Sequence, residues 1–475
     1  MKNTITTLAV LCGALINGQN FTLVEGTPFK GTSDGSVHLV DVEGDDDLDL
    51  FITGDQGGSG FQGIAEFYIN DGAGNFTLKE GTSVTGVESA SAAFGDVNDD
   101  GSQDLVLTGF SSEGRIAELW INDGSGTFTL NEFAPFSDVS VGDVNLVDIE
   151  NDGDLDVLIS GYNTASGRIS EVYKNDGTGA FTLFTSSPAF DPVDEGDVDL
   201  ADVNGDGYLD LVLTGDTGPS EFSGLFLNDG TGKFIKNTFA SNVFLDLRDS
   251  DADIADVNGD GYPDVLINGR YESATREAEL YTNDGTGNFQ LERDTPFIGG
   301  NAGTVDFLDY DNDGDMDVLV CGYENSTPNR NTRLYSNDGF GNFKEETTET
   351  ITGINNADIA IGDVDDNGFL DIIIVGYSNT RIAELYLNTG ASLSHNGTEL
   401  LEEFSIYPNP TKDFLQVSSK KYKVLDMQLY DLLGKVVPTT NKNLSRLNLS
   451  SLSPGVYMLK IDVGGNTIVK KIIKK

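Results

Sequence analysis

The 475-residue chain carries 78 Asp/Glu against 28 Lys/Arg, a formal net charge of −50, and 57 glycines. A body this acidic lacks the clustered Lys/Arg that phosphate backbones and anionic membrane surfaces demand, so nucleic acid is not an expected partner. The charge is uneven: residues 404–475 hold 12 Lys/Arg and 4 Asp/Glu, a net of +8, whereas the 403 residues before them carry −58, which places a domain boundary near residue 400.

Residues 1–18 read as a secretory signal peptide. Lys2 supplies a short positive start, and Ile5 to Ile16 is a mostly apolar run too short to span a bilayer. No later stretch reads as a membrane span. Cys12 falls in this leader and Cys321 sits alone in an apolar run, so no intramolecular disulfide is expected.

From Asp41 onward a nine-residue stretch recurs seven times, at intervals of 52 to 55 residues. That period points to a propeller, a solenoid or an array. The clearest copy is Asp202-Val-Asn204-Gly-Asp206-Gly207-Tyr208-Leu-Asp210. Oxygen-bearing side chains stand at positions 1, 3, 5 and 9, and a glycine at position 6 allows a sharp turn. Alternating carboxylates around a tight turn suit a hard cation, since Ca²⁺ takes six to eight oxygens including a backbone carbonyl. Without an ion the carboxylates would repel one another, so calcium is expected at up to seven sites. The candidate ligands are Asp41, Glu43, Asp45 and Asp49; Asp96, Asn98, Asp100 and Asp104; Asp148, Glu150, Asp152 and Asp156; Asp202, Asn204, Asp206 and Asp210; Asp256, Asn258, Asp260 and Asp264; Asp309, Asp311, Asp313 and Asp317; and Asp363, Asp365, Asn367 and Asp371.

Each repeat reads as four short strands. In the fourth, the first strand is Val198 to Asp202, and the acidic loop leads to a second at Leu209–Thr214 that ends at Gly215. A loop of variable length precedes the third strand, Gly224–Asn228, and the turn Asp229-Gly-Thr-Gly232 precedes a fourth that begins at Phe234. Asp-Gly turns between alternating strands favour hairpins. The seventh copy stops at Asn388-Thr-Gly390 before its fourth strand. Phe21-Thr-Leu23 supplies the missing piece, because it matches Phe76-Thr-Leu78, Phe128-Thr-Leu130 and Phe181-Thr-Leu183. Joining the two removes both open edges and closes a ring. The expected fold is all-β: a seven-bladed β-propeller of four-stranded blades over residues 19–392, with the N-terminal strand closing the last blade.

The acidic loops, with the glycine that ends each second strand (Gly54, Gly109, Gly161, Gly215, Gly269, Gly322 and Gly376), resemble the FG-GAP or VCBS repeats of integrin α-subunit propellers and many secreted bacterial proteins. The first copy departs from the pattern with Glu43 at position 3 and Asp46 in place of the glycine, the third has Glu150 and the seventh Asn367. The first site is expected to bind most weakly. Residues 393–403 read as a polar linker. The tail, 404–475, opens with Tyr407-Pro-Asn-Pro410, continues through Asp431-Leu-Leu-Gly434-Lys435 and Gly455-Val-Tyr457, and ends in lysines. It resembles the C-terminal sorting domain of the type IX secretion system of Bacteroidota. That resemblance implies a small Ig-like β-sandwich read by the export machinery, and a secreted or cell-surface protein that passes through the periplasm.

Chain direction puts the acidic loops and Asp-Gly turns on one face of the ring, and the variable loops on the other, where recognition usually resides. Arg115, Arg168, Arg276, Arg330 and Arg381 stand at equivalent positions beside those variable loops. They either grip an acidic glycan or pair between blades with Glu66, Glu118, Glu171, Glu279 and Glu384. The chain has two histidines, His38 and His395, and no Ser-His-Asp set, zinc spacing or phosphate-cradling loop. The favoured function is therefore a calcium-binding adhesion module for a glycan or protein ligand. The alternative is a polysaccharide-degrading hydrolase or lyase that uses paired carboxylates.

Overall fold

Successive strands pair with their chain neighbours to give seven four-stranded antiparallel sheets between Phe21 and Asn388. The computed structural model describes residues 20–390 apart from 186–189, 241–242, 273–274 and 326–328; in the tail it describes 404–407, 411–412, 414–419, 424, 426–430, 436–437, 446–450, 452–453, 455–462 and 467–475. The expected signal peptide and linker, and the Pro408–Pro410 and Asp431–Lys435 motifs, lie outside the described residues. Among the described residues there is no α-helix, and none is long and apolar enough to cross a membrane.

The second strand of each sheet is buried on both faces and accordingly lacks polar alternation. Leu50–Ile52, Leu105–Leu107, Leu211–Leu213 and Ile372–Ile374 are all essentially inaccessible. These strands fill the space between adjacent sheets, so each apolar cluster draws on two repeats; Val40, Phe51 and Phe67 of the first pack with Ala92, Leu105 and Trp120 of the second. Each second strand runs one or two residues past the glycine expected to end it, and that glycine lies under the loop that enters the sheet. A Cβ on Gly215 would stand 2.6 Å from the Asp194 carbonyl oxygen, where no side chain fits.

The ring closes as the sequence predicts. Phe21, Thr22 and Leu23 pair with Asn388, Leu387 and Tyr386, completing the seventh sheet from the other end of the ring. Phe21 is buried against Tyr310, and Glu349 accepts the N–H groups of Asn20 and Phe21 at 2.9 and 3.1 Å. A second closure runs around the inner edge. One residue entering each innermost strand is held at positive φ: Asp34, Ser89, Val141, Glu195, Asp249, Ala302 and Asn356, between 43° and 58°. Backbone bonds of 2.5 to 3.4 Å link these segments in sequence, from the Ala90 N–H to Asp34 around to the Asp34 N–H on Asn356.

The innermost strands of all seven sheets line a central channel of about 680 Å³. Carboxylates there stitch neighbouring repeats: Asp358 accepts the Val37 N–H at 2.8 Å, Asp251 that of Val305 at 2.8 Å, and Asp197 that of Ala252 at 3.3 Å.

Residues Gln19–Gly390 form one compact unit and the tail belongs to another. In the tail, Phe404–Tyr407, Phe414–Ser419 and Arg446–Asn448 form one sheet. Val436–Val437, Asp426–Tyr430, Gly455–Asp462 and Thr467–Lys474 form a second. Leu415, Val417, Leu429, Leu447, Leu459 and Ile472 make their shared core, which gives the expected small sandwich.

Candidate metal centres

The seven acidic loops share one hydrogen-bond scheme. The carboxylate at position 1 accepts the N–H of position 5 on one oxygen and that of position 6 on the other; in the fourth loop Asp202 receives Asp206 at 3.1 Å and Gly207 at 2.8 Å. Position 5 accepts the N–H of position 7, as Asp206 does from Tyr208 at 3.0 Å. These bonds coil the loop about the position-1 carboxylate. The coil needs left-handed backbone at position 6, supplied by glycine in six loops and by Asp46 at φ 71° in the first. It needs the same at position 4, where Gly44, Asp99, Asn151, Gly205, Gly259, Asn312 and Asp366 all have positive φ.

Position 9 is the buried candidate ligand. Asp49, Asp104, Asp210, Asp264 and Asp371 are wholly inaccessible, and Asp156 and Asp317 nearly so. Asp210 accepts the Val203 N–H on one oxygen at 3.2 Å and the Asn228 N–H on the other at 2.8 Å. Burial pushes these carboxyls up, to about 6 at Asp49, Asp104, Asp264 and Asp371 and to about 7 at Asp210 and Asp317; the two N–H bonds oppose the shift. A cation beside them would keep them ionised.

The residues fit calcium. In the sixth and seventh loops three carboxylates already converge: Asp309, Asp311 and Asp317, and Asp363, Asp365 and Asp371, each set with oxygens within 4.8 Å of one another. Asp365 Oδ1 is enclosed and receives no donor. In the second and fifth loops the position-3 amides Asn98 and Asn258 reach Asp104 and Asp264 at 3.3 and 3.2 Å. In the first and third loops the position-3 glutamates meet lysines, Glu43 with Lys79 at 2.9 Å and Glu150 with Lys174 at 2.7 Å.

Sequence reasoning missed the Asn that opens each Asp-Gly turn. It read the turn as a hairpin signal alone. In all seven repeats this side chain donates twice: to the position-8 carbonyl of its own loop, and to the position-2 carbonyl of the loop one repeat earlier. Asn283 reaches Pro263 at 3.0 Å and Val203 at 2.7 Å; Asn70 carries the pattern across the closure to Val364 at 2.9 Å. The acidic loops are thus linked in a closed circle. The available signal was the presence of Asn at this place in every copy, including Asn388-Thr-Gly390, which lacks the Asp.

On the opposite face the five arginines do not converge. Each lies on its own seam and reaches the next repeat. Arg168 bonds Asp194 at 2.7 Å and Asp216 at 3.0 Å, and Arg381 bonds Asp55. Arg115, Arg276 and Arg330 each lie 4.8 Å from a tyrosine ring centroid, at Tyr162, Tyr323 and Tyr377. The partner is thus the residue just past the glycine of the following second strand, Asp or Tyr, and not the glutamates proposed from sequence. Those glutamates are engaged within their own repeats: Glu66, Glu171, Glu279 and Glu384 accept from Tyr68, Tyr173, Tyr281 and Tyr386, and Glu118 from Trp120.

The FG-GAP-like repeat model matches residues 41–107, 96–159, 148–213, 202–267 and 256–320, and the secretion system C-terminal sorting domain matches 405–475. A T-cell immunomodulatory protein homolog of Plasmodium falciparum is 26% identical over 323 residues, covering 59% of this chain and 42% of that protein. The chain thus spans under half the length of that relative. Among solved structures, the six-bladed propeller lectin of Aleuria aurantia is 11% identical over 69% of this chain and all of its own, with a TM-score of 0.37. A thermostable family-43 glycoside hydrolase is 11% identical over 58% of this chain and 98% of its own, with a TM-score of 0.32.

Proposed function

The chain belongs to the FG-GAP-like repeat family, and from that premise we propose that it is a calcium-stabilised binding module displayed outside the cell, where it engages a glycan or protein ligand. Its sorting tail carries it by type IX secretion to the cell surface or extracellular space, so the export machinery is one partner. The observation that carries the calcium reading is the convergence of Asp363, Asp365 and Asp371, with Asp365 Oδ1 enclosed and left without a donor. An enclosed carboxylate oxygen without a partner is costly, and a divalent cation supplies the missing charge.

Ligand contact is assigned to the face of variable loops, such as 55–64 and 216–223. The opposite face is committed to the coiled loops and their Asn links, nearly alike in every repeat. The arginines contribute to that ligand face by holding the seams on which the loops stand. The repeats are too alike to mark one as catalytic, which favours binding over turnover. A polysaccharide-acting enzyme remains the second reading because the channel gathers carboxyls with different proton affinities: burial raises Asp199 to about 8 and Asp143 to about 6. A glycan array on the secreted protein, with calcium and with chelator, tests the proposal, and the bound glycans are then assayed for cleavage. Binding without cleavage, lost in chelator, is expected; cleavage would move the function to the channel.

A further inference from the structure

Two of the seven acidic loops differ from the rest in a correlated way. Only the first and third carry glutamate at position 3, and only these two repeats bring a lysine to it. Lys79 Nζ donates to Glu43 Oε1 and to the Ser125 carbonyl, both at 2.9 Å. Lys174 Nζ donates to Glu150 Oε1 at 2.7 Å and to the Thr231 carbonyl at 2.9 Å. Ser125 and Thr231 hold the same place in the Asp-Gly turn of the next repeat. Yet the lysines come from different strands. Lys79 follows the fourth strand, Phe76–Leu78, and Lys174 ends a third strand, Gly167–Lys174. The other five repeats have no lysine at either position. An ammonium has thus been delivered to one location by two routes, each time with a glutamate to receive it.

We infer that Lys79 and Lys174 serve as built-in cations, so that the first and third loops are closed by a lysine where the other five take calcium. The inference rests on the calcium reading above. A loop already holding an ammonium loses one carboxylate oxygen to it and gains a positive charge that opposes a second cation. The lysine also makes the tie to the next repeat. The first loop is the more committed of the two, because Asp46 replaces its position-6 glycine. In the third loop Glu150 Oε2 is enclosed and has no donor, so removing Lys174 should free a competent site.

The test counts ions on the full chain, stripped with chelator and titrated with Ca²⁺ under native mass spectrometry and equilibrium dialysis. Five ions in a tight class are expected for the unaltered protein, and six for Lys174→Met, with affinity at the third loop raised about tenfold or more. Seven equivalent ions in the unaltered protein would overturn the inference while leaving the calcium reading intact, and so would an unchanged count in a folded Lys174→Met. No bound calcium at any concentration would overturn both. The count on the unaltered chain needs no variant to fold.

Discussion

Asp46 is the residue at which the chain is most at odds with its own pattern. It sits at φ 71°, where the other six loops place glycine at φ 86° to 99°. Left-handed backbone costs a side-chain-bearing residue on the order of 1 kcal/mol relative to glycine. Asp46→Gly is therefore expected to stabilise the ring by about 0.5–1 kcal/mol, measured by urea unfolding in chelator; a loss of stability would show that the Asp46 side chain has a role of its own. Position 4 obeys the same rule, and only Gly, Asn and Asp occupy it. The signal was present in the sequence, between the candidate ligands at positions 3 and 5. The Asn before each turn was opaque because its partner lies one whole repeat back. Asn283→Ala leaves the Val203 and Pro263 carbonyls without their donor. It is expected to cost about 1–3 kcal/mol, read as a fall in urea midpoint with the slope unchanged. Asp284→Ala, which removes exposed turn bonds to Thr286 and Asn288, is expected to cost less.

At the level of strands and seams, the closing strand was legible because a broken repeat at one end and a matching Phe-Thr-Leu at the other admit one joining. Phe21 is only 3% exposed and joins the core that includes Tyr310, Ile372 and Tyr386. Phe21→Ala is expected to cost about 3–4 kcal/mol. Its strand is not tied to its neighbour by a hairpin turn, so the loss should appear locally. Hydrogen exchange in Arg381–Asn388 should quicken before that in Gly167–Lys174, and equal quickening in both would contradict a separately held strand. The seams were less legible. The arginines were read as pairing between blades, with Glu171 and its equivalents as the partners. They do reach the next repeat, but the groups they meet there are others, as Arg168 goes to Asp194 and Asp216. Spacing along one strand cannot reveal which neighbour twist brings close.

For the ring as a whole, the acidic charge has a second location besides the loops, the channel. Burial raises Glu195 to about 7, Asp199 to about 8, and Asp143 and Asp358 to about 6, while Asp197, Asp251 and Asp306 are raised well above the usual carboxylate range. In each case the folded protein holds the proton more tightly than the unfolded chain, whose carboxyls titrate near 4. The stability this contributes is complete below pH 4 and is lost as pH rises through the folded values, between about 6 and 8. In chelator, where no bound ion complicates the loops, Tm is therefore expected to rise by several degrees as pH is lowered from 8 to 6. Each unit of raised affinity is worth about 1.4 kcal/mol per group, and the channel sums several. Asp199→Asn removes one such proton site and should flatten the slope. A Tm that falls monotonically from pH 8 to 6 in chelator would mean that the channel carboxyls ionise freely, with solvent or small cations screening them from one another.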